Sequence, residues 1–179
     1  RRNIMKILKQ VLNGACVLSP SVFNDDRGYF FESYNQKIFN HLAGDSLNFV
    51  QDNQSLSSRG TLRGMHFQTG EFAQAKLVRV VRGAVYDVAV DLRHESPTFK
   101  KWYGIELNEE NRLQFYIPRG FAHGFVTLTD DTIFQYKVDN YYSKVHEGGI
   151  AYNDEEIGIT WPLSDVVLSG KDSELPSFG

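Results

Sequence analysis

Apolar and polar residues alternate with a period of two along much of the chain. In residues 85–93, Tyr86, Val88, Val90 and Leu92 fall on one face, and Val85, Asp87, Ala89, Asp91 and Arg93 on the other. That spacing predicts a strand whose two faces meet different surroundings. Shorter β-rich runs occupy 77–81, 102–107, 113–117, 125–128 and 133–138. Turn-forming pieces separate them: Arg82-Gly83, Ser96-Pro97, residues 108–111, residues 118–120 and Asp130-Asp131. Many short strands so spaced predict a sandwich or barrel. Helical periodicity is clear in one place only, where Asn35 can cap a helix, Ile38 and Leu42 lie one turn apart, and Gly44 can end it. A second short helix is expected after Gly170. Helices do not alternate with strands, which disfavours a parallel α/β sheet. The expectation is an all-β chain with a few short peripheral helices.

Composition narrows the class. With 179 residues, 41% hydrophobic and 23% charged, the chain can bury a core and reads as one domain, 1–179, without a linker. The single cysteine, Cys16, excludes an intrachain disulfide and a cysteine-cluster metal site. A net charge of −3 argues against a generic nucleic-acid binder. No apolar stretch approaches the roughly 18 residues of a membrane-spanning helix, and residues 1–10 lack the features of a signal peptide. The expected setting is cytoplasmic, with neither nucleic acid nor membrane as partner. Residues 1–4 precede Met5, and an origin outside the natural gene is one reading of them.

Five places could carry chemistry. In Arg63-Gly64-Met65-His66-Phe67-Gln68, a strand would put Gly64, His66 and Gln68 on one face and Met65 and Phe67 on the other. Such a polar face suits a pocket, although a lone histidine reads first as a core residue with a satisfied hydrogen bond. Lys76 opens an apolar run in phase with Val78 and Val80, and by itself reads as a lysine snorkelling from a strand end. The turn Pro118-Arg119-Gly120-Phe121-Ala122-His123-Gly124 resembles the second metal motif of cupins. The first such motif needs two alternating histidines, however, and Gln68 stands in the second slot, so the expectation is a cupin-type barrel without the metal site. Tyr136 and the pair Tyr141-Tyr142 serve packing, proton donation or ring stacking. Arg27, Glu32, Gln51, Asp52 and Asn53 sit in polar pieces that, with Arg63 and Lys171, could clamp an anionic ligand.

Taken in order, five segments resemble one family. They are Phe23-Asn24-Asp25-Asp26-Arg27-Gly28-Tyr29-Phe30-Phe31-Glu32-Ser33, Phe49-Val50-Gln51-Asp52-Asn53-Gln54-Ser55, Leu62-Arg63-Gly64-Met65-His66-Phe67-Gln68, Ile117-Pro118-Arg119-Gly120-Phe121-Ala122-His123-Gly124-Phe125 and Asn140-Tyr141-Tyr142-Ser143. Together with Trp161-Pro162, they resemble the dTDP-4-dehydrorhamnose 3,5-epimerase family over about Val17 to Asp172. The resemblance implies a jelly-roll barrel (a double-stranded β-helix), usually a homodimer, without metal or organic cofactor. It implies a dTDP-linked 4-keto-6-deoxy sugar as substrate, in dTDP-L-rhamnose synthesis. It gives His66 as proton acceptor, Asp172 as its carboxylate partner, Tyr136 as proton donor and Lys76 as the group facing the ketone. Arg27, Glu32, Gln51, Asp52, Asn53, Arg63, His123, Glu147 and Lys171 match substrate-binding positions, and Tyr142 matches a tyrosine that stacks on thymine.

The chemistry fits those residue types. Hydrogens beside a ketone are acidic enough for a positioned base, and imidazoles titrate near neutrality. Phenols are protonated there, as a donor must be. Relatives that invert carbon 3 or carbon 5 alone, on related dTDP-sugars, share the motifs. A metal-dependent cupin and a catalytically silent nucleotide-sugar binder are the readings from other classes.

Overall fold

A computed structural model of the chain describes residues 4–179, so that of the first four residues only Ile4 falls within it. In chain order the elements are β1 (Met5–Leu12), β2 (Ala15–Pro20), β3 (Phe23–Asp25), β4 (Gly28–Phe30), α1 (Gln36–Ala43), β5 (Gln51–Ser57), β6 (Leu62–Gln68), β7 (Lys76–Arg82), β8 (Ala84–Asp91), β9 (Trp102–Asn108), β10 (Gln114–Ile117), β11 (Phe121–Thr127), β12 (Thr132–Val138), β13 (Glu147–Gly149) and α2 (Gly170–Ser173). One sheet has the order β1-β2-β10-β7-β12-β5, the other β13-β6-β11-β8-β9, and β3 and β4 form a separate hairpin. Every pairing between these strands is antiparallel. This is the expected all-β jelly roll of cupin type. Among the described residues no helix is long and apolar enough to cross a membrane.

Apolar burial occurs in three layers. Between the sheets, Val78, Val80, Phe115, Ile117 and Phe134 meet Val85, Ala89, Leu107, Phe121 and Phe125. Outside the six-stranded sheet, α1 covers Cys16, Leu18, Leu77 and Tyr116 with Phe39. Outside the five-stranded sheet, Ile150, Ile157 and Trp161 of the C-terminal segment cover Met65, Val88 and Val90. Strand β8 therefore has the two environments its alternation predicted, and both are dry. It stops at Asp91, earlier than residue 93, because that carboxylate turns to bind the Arg93 amide at 3.0 Å and the Thr98 hydroxyl at 2.6 Å.

Helix α1 is the predicted one. The Asn35 side-chain oxygen accepts from Ile38 N at 3.2 Å, and Gly44 closes the helix in the left-handed region at φ 68°.

One irregularity shapes the site. On β6, Arg63 and His66 are three residues apart, while their partners on β11, Phe125 and His123, are two apart. The extra residue is a bulge at Gly64-Met65. A side chain at Gly64 would stand 2.6 Å from Gly124 Cα and 2.9 Å from His123 O, at φ +132°, so only glycine fits. Because the bulge breaks the alternation, Arg63 joins His66 on the cavity side. Met65 and Phe67 keep the opposite face, as expected.

Candidate active site

A cavity of about 520 Å³ opens between the two sheets. Its walls come from both. The five-stranded sheet contributes Arg63, His66, His123 and Phe125, and the six-stranded sheet contributes Asn53, Lys76 and Tyr136. The C-terminal segment closes one side with Leu168, Ser169, Lys171 and Asp172.

His66 is not a core histidine. Its side chain keeps 34% exposure and faces the cavity, with Nε2 at 2.6 Å from Asp172 Oδ1. Asp172 is buried at 6% exposure and is well fixed. Its second oxygen accepts from Gly64 N at 3.1 Å, and its own amide donates to the Ser169 hydroxyl that caps α2, also at 3.1 Å. The last turn of the chain thus exists to carry one carboxylate to the imidazole.

Lys76 does not snorkel. It starts β7 on the inner face and is 7% exposed. Among the described residues it makes no ion pair, and its Nζ lies 5.6 Å from the centre of the Tyr136 ring. Burial pulls its pKa down to about 8, against the opposing pull of Asp87. It is a cation held in a dry place, with the Asp87 carboxylate near it but not paired to it.

Asp87 is the residue that sequence reading missed. It is fully buried on the inner face of β8 and its Oδ1 lies 2.7 Å from His123 Nε2. Burial pushes the Asp87 pKa up and that of His123 down, the latter helped by Lys76 and His66 nearby. The two groups are joined by one short hydrogen bond in a fully buried place. The signal was present: an aspartate in the middle of an alternating apolar run has to have a partner when buried.

The rim is a second group. Lys171 Nζ pairs with Glu147 Oε2 at 2.5 Å, and the Tyr142 hydroxyl donates to the same oxygen at 3.0 Å. The ammonium of Lys171 is the main cause that holds the Glu147 carboxyl below its usual range. Gln51 joins the rim to the wall, donating to Asn53 Oδ1 at 2.9 Å and accepting from Tyr142 N at 3.2 Å. Arg63 is steadied by Ser57, whose hydroxyl oxygen it reaches at 3.1 Å.

Three expected site residues lie elsewhere. Asp52 alternates with Gln51 and Asn53, so it takes the outer face of β5, where it pairs with Lys137 at 3.0 Å. Glu32 precedes α1 and accepts from the Asn35 side chain at 3.1 Å. Arg27 sits at the turn of the β3–β4 hairpin, its side chain 89% exposed, paired with Asp25 at 2.6 Å. Neither Glu32 nor Arg27 lines this chain's cavity.

Among the described residues, no three His, Cys, Asp or Glu side chains converge as metal ligands. Gln68, in the slot of a cupin ligand, is occupied by backbone groups: Phe72 O at 2.7 Å, Tyr141 O at 3.1 Å and Ser143 N at 2.8 Å.

Known proteins resemble this chain in sequence and fold. The family described as dTDP-4-dehydrorhamnose 3,5-epimerase matches residues 9–179. The dTDP-4-dehydrorhamnose 3,5-epimerase of Salmonella typhimurium is 54% identical over 174 residues, covering 97% of this chain and 95% of the relative. The crystal structure of the Bacillus anthracis dTDP-4-dehydrorhamnose 3,5-epimerase, with TDP and PPi bound, is 50% identical with a TM-score of 0.95, covering 97% of this chain and 99% of that one. A Legionella pneumophila dTDP-6-deoxy-D-glucose-3,5-epimerase, in complex with dTDP-4-keto-L-rhamnose, is 42% identical with a TM-score of 0.91, covering 98% and 99%. With an inter-sheet cavity holding a histidine–carboxylate pair, a buried lysine and a tyrosine, and with these matches along nearly its whole length, the chain belongs to the dTDP-4-dehydrorhamnose 3,5-epimerase family.

Proposed function

We propose that the chain converts dTDP-4-dehydro-6-deoxy-α-D-glucose to dTDP-4-dehydro-β-L-rhamnose by inverting carbons 3 and 5 of the sugar. The observation that carries this reading is the placement of His66 and Tyr136 on opposite sheets around one cavity. His66 removes the proton beside the ketone, and the electron pair moves into the carbonyl to give an enolate. Tyr136 returns a proton to the carbon from the other face, and the centre is inverted. Both groups then reset by exchanging protons with water. Asp172 holds the imidazole in the tautomer that leaves the attacking nitrogen free, and it stabilises the imidazolium that forms.

Lys76 faces the developing oxyanion. An ammonium already stripped of water loses nothing further when charge appears beside it. Arg63 and Lys171 are the cations for the diphosphate, and Tyr142 is the plate for the thymine. Binding at that unreactive end holds the sugar between base and acid.

The Lys76 shift gives the pH dependence its sign. The useful form is the ammonium, which is lost as pH rises through about 8. We expect kcat/KM to fall above that pH. In Lys76→Met the residual rate should be lower by roughly 10²-fold and should lack the alkaline fall. A rate that stays level from pH 7 to 10 in the wild type would remove Lys76 from this role.

Solvent deuterium exchange tests the function itself. In D₂O the product should carry label at carbons 3 and 5. Label at carbon 3 alone would make the chain a 3-epimerase.

The same reading takes the protein as a cytoplasmic homodimer. Tyr29 and Phe30 of the hairpin are 57% and 68% exposed, which is costly for an isolated chain. The hairpin also carries Arg27 away from its own cavity, so that a second copy's cavity is the place where that guanidinium would meet the anionic ligand. Sedimentation velocity should give the mass of two chains. Cys16 is buried, its thiol pushed up to about 11, and takes no part.

A further inference from the structure

The segment Asn140-Tyr141-Tyr142-Ser143 forms no helix or strand and exposes two rings, Tyr141 at 61% and Tyr142 at 54%. Its backbone is nonetheless held at four successive residues by side-chain amides. Gln74 donates to the Asn140 carbonyl at 3.0 Å, and Gln68 donates to the Tyr141 carbonyl at 3.1 Å. Tyr142 N donates to Gln51 Oε1 at 3.2 Å, and Ser143 N donates to Gln68 Oε1 at 2.8 Å. Gln68 alone grips both peptide groups that flank Tyr142. It does so from beneath, at 8% exposure, and gives its other amide hydrogen to Phe72 O at 2.7 Å. These partners fix which end of the amide is which, because two carbonyls need the NH₂ and one N–H needs the oxygen.

We propose that Gln68 is a positioning residue for nucleotide binding, holding Tyr142 in the attitude in which its ring stacks on the base. This rests on the reading of Tyr142 as the plate for the thymine. An aromatic plate on irregular backbone would have to be ordered at the moment of binding, and that entropy would be subtracted from affinity. Gln68 removes the cost in advance. It also lies two residues beyond His66 on β6, so the plate is referred to the strand that carries the base. In this chain the slot of a cupin metal ligand serves the far end of the substrate.

Calorimetric titration with dTDP of four proteins tests it: wild type, Tyr142→Ala, Gln68→Glu and the double variant. Glutamate has the shape of glutamine but turns an acceptor towards two carbonyls. Each single variant should weaken dTDP about tenfold, and the double should be no weaker than Tyr142→Ala alone. In steady state Gln68→Glu should raise KM by a similar factor and lower kcat by less than about threefold. A merely structural role would move the melting temperature without that split. Gln68→Met, apolar and of similar volume, carries the same cycle where the added charge prevents folding. If the Gln68 variants leave dTDP affinity unchanged, or weaken it equally with and without the Tyr142 ring, the clamp is overturned and the plate stands. If Tyr142→Ala leaves dTDP affinity unchanged, the plate is lost and the clamp with it.

Discussion

Replacing His66 by alanine should cut turnover by about 10³-fold or more, with deuterium exchange lost at both carbons together. Both centres lie beside the same ketone, and among the described residues His66, with its 2.6 Å bond to Asp172, is the one histidine–carboxylate pair on the cavity wall whose ring is open to the cavity. The alternative pair, His123 with Asp87, is 5% and 0% exposed in its side chains. Its ring is buried and tied to that carboxylate, which makes it a poor replacement. The fold should survive. His66 is partly exposed, and Asp172 keeps its bond to Gly64 N at 3.1 Å when the ring is gone. Near-full activity in the purified variant would remove His66 as the base. Loss of exchange at one carbon only would mean that the two centres use different bases.

Tyr136→Phe should separate two events that the wild type couples. Formation of the inverted product should fall by about 10²–10³-fold. Exchange should persist, because His66 can still take a proton and hand a deuteron back to the face it came from. The recovered substrate should therefore gain label without changing configuration. The phenyl ring preserves the packing on Phe134, 5.8 Å between centres, and on His123 at 6.4 Å, so the loss would belong to the hydroxyl. If the variant inverts its substrate at the wild-type rate, the donor is another group. Tyr142→Phe is the contrast: it keeps the ring, loses only the bond to Glu147, and should retain much of the activity.

The parts of this architecture that were legible in the sequence are those where one face differs from the other. Strands β7 to β12 and helix α1 announce themselves as β-rich or amphipathic runs between turn residues, although β10 and β11 are buried at every position and β11 starts at Phe121, ahead of the run at 125–128. Strands β1 and β2 do not. In β2, Ala15, Cys16, Val17 and Leu18 are all buried, so no alternation exists to read, while β1 is a sheet edge with lysines and a glutamine along it. The site was legible as motifs and illegible as geometry. His66, Lys76, Tyr136 and Asp172 converge as the resemblance implied, although nothing local joins residues 66 and 172. A bulge of one residue cannot be read from alternation, yet it decides that Arg63 faces the cavity. Asp52 lies between two residues that point inward, and a strand sends it outward. Arg27 sits at the turn of a hairpin and Glu32 between that hairpin and α1, both away from this chain's cavity.

The two sheets act as the jaws of a calliper. Stacked sheets stand roughly 10 Å apart, a distance set by the side chains between them. Because His66 and Tyr136 ride on opposite jaws, that spacing, less the reach of the two side chains, sets the room left for a ring lying between them. Phe125 and Phe134, stacked at 4.0 Å beside the cavity, are the spacers. Changing their size would reset the gap, so substitutions that a stability assay would class as core packing should emerge in this enzyme as changes in which sugars it inverts and how completely.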